Sequence, residues 1–173
     1  ITSFNTGLNG SLLLVGTSNG FFIYNTETKQ AILPQSYNNY VRYVFQDNTG
    51  IIWVGTNKGV ARFIINGNTI NELKNISASL QPISSYAITS ISQDKSNRYW
   101  IATAGQGIFI YNEASNILQA LPVKENVFKN YVVKDVYHNS STGHTFITTD
   151  GGGITLVDTS LNVLNTNLSN ENE

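Results

Sequence analysis

The alternation of apolar and polar positions is clearest between Val41 and Phe63, which reads VRYVFQDNTGIIWVGTNKGVARF. Three short apolar runs, Val41–Gln46, Ile51–Thr56 and Val60–Ile65, are separated by two turn signals. The first turn, Asp47 to Gly50, has side chains that cap their own backbone and a Gly free to take positive φ; Asn57-Lys58-Gly59 makes the second. Runs this short, rich in β-branched and aromatic residues and punctuated this closely, predict antiparallel strands in a meander.

The same pattern occurs four times. Leu14-Val15-Gly16-Thr17, Trp53-Val54-Gly55-Thr56, Trp100-Ile101-Ala102-Thr103 and Phe146-Ile147-Thr148-Thr149 align, with Thr-to-Thr steps of 39, 47 and 46 residues. Upstream, four apolar pairs three residues apart fall into register: Ile1/Phe4, Val41/Val44, Ile88/Ile91 and Val133/Val136. Downstream of each Thr comes a Gly (Gly20, Gly59, Gly107, Gly153), an apolar strand, a turn, and a weaker strand at Gln30–Leu33, Thr69–Leu73, Ile117–Leu121 and Val163–Leu168. A repeat of this length holding four strands, A to D, predicts an all-β β-propeller fragment. The expectation is four consecutive four-stranded antiparallel blades forming an open arc, with repeats at about 1–40, 41–87, 88–132 and 133–173.

Strand A departs from the rule. Its apolar pair is three apart, whereas a half-buried strand repeats every two residues. Either the first apolar residue precedes the strand or a bulge resets the parity. In strand B the Trp is placed between adjacent blades, the Gly or Ala two residues later leaves room for a neighbouring backbone or ring, and the Thr hydroxyl can bond a nearby turn.

Asp47-x-x-Gly50-Ile-Ile-Trp53-Val-Gly55-Thr56-x-x-Gly59-Val60 resembles the two-component regulator propeller repeat, D-x-x-G-x-[LI]-W-[IV]-G-T-x-x-G-[GL]. The third copy keeps Asp94, Trp100, Thr103 and Gly107 but has Asn97 for the turn Gly and Ala102 for the motif Gly. The first and fourth copies are degenerate, with Leu14 and Phe146 in the Trp place. The resemblance covers almost the whole chain. It implies part of a large extracytoplasmic sensor region, of the kind that stands as paired seven-bladed propellers ahead of a membrane span and a histidine kinase. Many such proteins are hybrid two-component systems of gut Bacteroidetes that respond to glycans. A periplasmic location, with the remaining propeller blades of a parent chain as partners, is implied in the same way.

Composition narrows the partners. Net charge is −1 and 12% of residues are charged, which argues against a phosphate-backbone binder, so no nucleic-acid partner is expected. Polarity comes instead from Asn, Ser and Thr; the 23 Asn suit both turn chemistry and a neutral ligand such as a sugar. With no Cys there are no disulfides or thiolate metal sites, and no apolar run approaches the length of a membrane span, so no direct membrane contact is expected. The chain starts where a repeat starts, without an initiator Met, and reads as a fragment whose terminal blades would expose neighbour-facing surfaces; self-association is the expectation.

Catalytic signals are weak. His138 and His144 flank one A–B turn with no carboxylate or Cys at ligand spacing beside them, so a solvated turn is expected and no metal site. Asp47 and Asp94 recur at one repeat position, which suits turn capping; a catalytic pair needs unlike environments. Asp150-Gly-Gly-Gly153 lacks the Lys-Ser/Thr and helix of a phosphate cradle. No cofactor and no catalytic residue is expected.

What remains is a surface. In a propeller the D–A and B–C loops share one face, which would gather Tyr40, Tyr86 and Tyr131, then Arg42 and Lys134, and from the B–C turns Asn57, Lys58, Gln106 and Asp150. Flat aromatic faces with amide and charged groups are what an oligosaccharide site needs. The alternative, which weighs somewhat more, is that the tyrosines are repeat-determined packing residues. Longer D–A connections at Asn75–Ser85 and Pro122–Asn130 either bind or merely cover blade edges. Three readings follow: a non-catalytic glycan-sensing module, a propeller enzyme of streptogramin-lyase-like type, and structural or protein-docking blades without ligand contact.

Overall fold

A computed structural model describes residues 1–74, 77–122 and 132–165. The fold is all-β, four consecutive four-stranded antiparallel blades of a β-propeller, each with its strands in chain order. The first holds β1 (Ser3–Thr6), β2 (Leu12–Thr17), β3 (Gly20–Asn25) and β4 (Gln30–Ile32). The second holds β5 (Val41–Gln46), β6 (Ile52–Thr56), β7 (Val60–Asn66) and β8 (Thr69–Glu72). The third holds β9 (Ile88–Gln93), β10 (Arg98–Thr103), β11 (Ile108–Asn112) and β12 (Ile117–Ala120), and the fourth β13 (Val133–His138), β14 (Thr145–Thr149), β15 (Gly153–Val157) and β16 (Val163–Asn165). The outer part of the last strand D expectation, beyond Asn165, lies outside the described residues, as do Asn75 and most of the connection at 122–130.

The chain divides into two compact units, Ile1–Ile91 and Ser92–Glu173. Each owns a core between two neighbouring sheets. In the first unit Leu14, Phe21 and Ile23 from one sheet meet Val41, Val44, Ile52, Val54, Ala61 and Phe63 from the next. The second repeats this, with Trp100, Ala102, Ile108 and Ile110 against Val133, Val136, Ile147 and Val157.

Strand A reaches its three-residue spacing in both of the ways considered. Pairing of β5 with β6 shifts register between Val41 and Tyr43, and that of β13 with β14 between Val133 and Asp135. The extra residue lets both members of each pair face one core, with Val41, Val44, Val133 and Val136 all buried. In the first blade Ile1 precedes β1, and the β1–β2 pairing runs without a shift.

The small residue after the motif aromatic leaves room for a neighbour's aliphatic side chain, not for a ring or backbone. A Cβ on Gly55 would stand 2.8 Å from Ile88 Cγ2, and one on Gly16 would stand 2.8 Å from Val41 Cγ1. The motif Thr closes the B–C turn in every blade. Thr17, Thr56, Thr103 and Thr149 donate from Oγ1 to the carbonyls of Gly20, Gly59, Gly107 and Gly153. In the A–B turns Gly50 takes φ +90°, and Asn97, which replaces it in the third copy, takes φ +58°. Asn tolerates this left-handed region better than other side chains, so the departure costs the turn little.

Two D–A connections act as covers. Pro34 bridges to Ile70 on β8, and Tyr37 then packs edge-on against Phe21 and Phe63 with centroids 5.9 and 4.8 Å away. After β8 a six-residue 3-10 helix, Ala78–Ile83, is capped by Ser77 and buries Leu80 and Ile83. Half of this long connection is therefore a plug for apolar surface.

Candidate functional site

In both units the D–A connections lie against the B–C turns, as the shared-face reading expects. Gly20 N donates to Asn39 O and Gly59 N to Tyr86 O, each at 2.8 Å. In the second unit Ala104 bridges Val132, and Asp150 N donates to Val132 O at 2.9 Å.

The first unit gathers four of the expected residues. The Arg42 guanidinium lies over the Tyr40 ring, 5.8 Å from its centroid, and its Nε donates to Asn57 Oδ1. Strand order makes this inevitable: Arg42 follows the first residue of β5, Asn57 follows the last of β6, and Val41 pairs with Thr56. Lys58 is next in the turn, its backbone N donating to Thr56 Oγ1 at 2.9 Å. Tyr40, Asn57 and Lys58 line a cavity of about 430 Å³. Tyr37, Asn39, Thr56, Val60, Ala61 and Glu72 complete it. Burial pushes the Tyr37 phenol above its usual value, against an opposing pull from Asn39. The walls thus hold aromatic rings, amides, hydroxyls, a cation and an anion, a set that can stack on a sugar ring and bond its hydroxyls.

Tyr86 is half-buried and is not among the residues lining this cavity; its backbone carbonyl is committed to the Gly59 turn. In the second unit Lys134 and Asp150 form an ion pair at 2.9 Å, both largely exposed. They are the repeat equivalents of Arg42 and Asn57. Gln106 is exposed on its own B–C turn, with its backbone N donating to Thr103 Oγ1. Tyr131 lies outside the described residues. Tyr37, Asn39 and Glu72 were missed because only the fold of the first D–A connection back over β8 brings them to the B–C turn. The one sequence signal for Tyr37 and Asn39 is the aromatic and amide content of Tyr37-Asn38-Asn39-Tyr40; Glu72, at the end of β8, has none.

The A–B turns have a different chemistry. Asp47 is fully buried: Oδ1 accepts from Thr49 N and Ile51 N, and Oδ2 from Trp53 Nε1 at 2.8 Å. Asp94 repeats this with Ser96 N, Arg98 N and Trp100 Nε1, and adds an ion pair to Arg98 at 2.7 Å. Burial alone would raise the Asp94 pKa, but these bonds to Trp100 and Arg98 outweigh it and hold the carboxyl below the usual range. Both aspartates are capping residues, as expected, and both also anchor the motif Trp.

The solvated-turn expectation fails for His138. Its ring packs edge-on against Trp100 at 5.4 Å. Nε2 shares a 2.9 Å hydrogen bond with Ser92 Oγ, and Nδ1 another with Thr145 Oγ1. It lines a cleft of about 210 Å³ with Asp94, Arg98 and Ser140. Burial lowers its pKa, partly offset by Asp94 and Asp135. Among the described residues no group of three His, Cys, Asp or Glu is placed to hold a metal ion.

Two stretches, residues 38–58 and 82–105, match the family described as Two component regulator propeller. They contain the second and third motif Asp–Trp pairs almost whole. No match to a curated protein is found. Among solved structures, the chain is similar to the extracellular domain of BT3049 from B. thetaiotaomicron, described as a hybrid two component system. Identity there is 30%, the TM-score is 0.62, and 84% of this chain and 18% of that one are covered. The corresponding domain of BT4673 from the same organism gives 19% identity and a TM-score of 0.69 over 92% of this chain and 21% of that one. PorZ, a surface component of the type-IX secretion system of Porphyromonas gingivalis, gives 18% identity and a TM-score of 0.72, covering 95% and 27%. The last two likenesses bear on the fold alone. The chain spans about a fifth to a quarter of the length of these three relatives. Among the described residues no helix is long and apolar enough to cross a membrane.

Proposed function

We propose that this chain, which carries two-component regulator propeller repeats, is a non-catalytic part of the extracytoplasmic, periplasmic sensor region of a hybrid two-component histidine kinase, and that it contributes to oligosaccharide sensing. The observation that carries the ligand reading is the cavity beside β6 and β7. It brings Tyr37, Tyr40, Asn57, Lys58 and Glu72 together around a volume suited to one or two sugar rings. The similarity to extracellular domains of hybrid two-component systems supports the sensor setting.

The test is calorimetric titration of the chain with a panel of neutral oligosaccharides, comparing wild type with Tyr40→Ala and Lys58→Ala. Each substitution is expected to weaken binding by roughly fivefold, about 1 kcal/mol. Lys134→Ala, outside this cavity, should change little. If neither cavity substitution shifts affinity by more than about twofold, the cavity is not the site. In that case the structural reading gains, which the buried Leu80 and Ile83 of the second D–A connection already favour for that loop. Consumption of the oligosaccharide would replace the sensor reading with the enzyme reading.

A further inference from the structure

The second unit holds a cleft that the oligosaccharide reading does not use. Its volume is about 210 Å³, and it lies where the β9–β10 turn meets the β13–β14 turn. Two cations of the third sheet reach across to carbonyls of the fourth. Arg98 Nη2 donates to Thr159 O at 3.0 Å, and Lys95 Nζ donates to Ser140 O. These bonds hold both heads in place before any ligand arrives, so less side-chain freedom is lost on binding.

The acceptors of the cleft are spent. Asp94 Oδ1 accepts from Ser96 N and Arg98 N, and Oδ2 from Arg98 Nε and Trp100 Nε1. Asn139 Oδ1 accepts from Ser141 N and Thr142 N. Donors are in excess. A guanidinium carries about five N–H groups and an ammonium about three. The bonds to Asp94 and Thr159 use two of the first, and the bond to Ser140 one of the second. Among the described residues the Asn139 amide nitrogen has no hydrogen-bond partner. Charge points the same way: Lys95 and Arg98 together outweigh Asp94.

We propose that this cleft is a binding site for a small carboxylate, carried by a free organic acid or by a single sugar acid. Fixed donors without matching acceptors, under a net positive charge, select an anion. The planar guanidinium favours a planar carboxylate over a tetrahedral oxyanion of similar size. The volume admits a molecule of about one sugar ring, too small for an oligosaccharide chain. His138 supplies an internal reporter. Its Nε2 and Nδ1 face the hydroxyls of Ser92 and Thr145, which can both accept once the ring gains a second proton. Burial favours its neutral form, Arg98 adds to that, and Asp94 and Asp135 oppose it; Lys95 also lines the cleft. A carboxylate bound beside the ring would favour the imidazolium and raise the His138 pKa.

The test is an NMR titration of the whole chain with acetate, glucuronate, glucose and sulfate at constant ionic strength, following the Lys95, Arg98 and His138 side-chain signals. At least one carboxylate is expected to shift them saturably and to raise the His138 pKa, with sulfate weaker and glucose silent. Acetate binding assigns the site to organic acids in general; glucuronate binding without acetate assigns it to a sugar acid. Arg98→Lys, which keeps the charge and loses the planar fork, should weaken carboxylate binding roughly tenfold, and Lys95→Ala roughly threefold. Lys134→Ala, outside the cleft, should change affinity by less than about 1.5-fold. Circular dichroism checks that the sheets are retained; if Arg98→Lys loses them, Lys95→Ala at its exposed position carries the comparison. No saturable shift with either carboxylate overturns the proposal. So does sulfate or glucose binding as tightly as the carboxylates, a His138 pKa unmoved at saturation, or Lys134→Ala weakening binding as much as the cleft variants. The cavity of the oligosaccharide reading lies in the first unit, so failure here leaves that reading intact.

Discussion

At the scale of single residues, one carboxylate organises each well-formed repeat. Asp47 ties its turn to the buried Trp53 indole, whose Nε1 donates to Oδ2. Asp47→Ala would remove the acceptor of the buried Trp53 N–H and the turn cap as well. The expected loss is about 2–4 kcal/mol by denaturant unfolding. Asp94 adds a pH dependence. Its folded carboxyl ionises more readily than the unfolded one, so the unfolded chain takes up the proton first as pH falls. The stabilisation is complete above about pH 4 and is lost as pH falls through the folded value. Stability of Asp94→Asn should be lower throughout the neutral range and should fall less steeply on acidification.

His138 works in a higher window by the same logic. Burial holds its imidazole neutral, so the unfolded state binds the proton first once pH drops below about 6.5. Its penalty is absent above that pH and grows as pH falls toward the folded value. His138→Gln, which keeps hydrogen-bonding capacity without titrating, should remove the part of the stability slope that begins below about pH 6.5 and ends at the lowered folded value.

At the scale of elements, two features with no polar chemistry decide the packing. Gly55 has ordinary strand geometry and is small because Ile88 stands over it. Gly55→Val should therefore destabilise by about 1–3 kcal/mol or more despite the higher strand propensity of Val. The 3-10 helix gives the converse case. Leu80→Ala and Ile83→Ala should each cost about 2–5 kcal/mol, as core residues do, although both sit in a connection. If thermal unfolding shows less than about 1 kcal/mol for either, the plug assignment is wrong.

At the scale of the whole chain, the two compact units each own a core between neighbouring sheets. Repeat proteins distribute stability as local terms plus nearest-neighbour junctions. Val44→Ala, in the core of the first unit, should lower native-state hydrogen-exchange protection in β1 to β8 far more than in β13 to β16. Uniform loss across all strands would show that the chain unfolds as one cooperative block.

The strands, their order and their turns could be read from residue types because these are local: β-branched runs, Asp and Asn that cap their own backbone, and Gly where φ is positive. Even Val41–Gln46 is a strand over the same residues in sequence and structure. Pairing Arg42 with Asn57 was likewise within reach, since adjacent antiparallel strands bring residues near their paired ends together. Tertiary structure alone decided the rest. The Asp–Trp bond spans six residues and needs the turn to fold the carboxylate back over the strand. The cavity beside Asn57 and Lys58 depends on Tyr37 and Glu72, which meet there only when the first connection crosses β8. His138 looked like a turn residue because its partners, Ser92 and Trp100, are far away in sequence and belong to the neighbouring sheet. Local sequence preferences specify each sheet, whereas which side chains share a site is decided by how one sheet lies against the next.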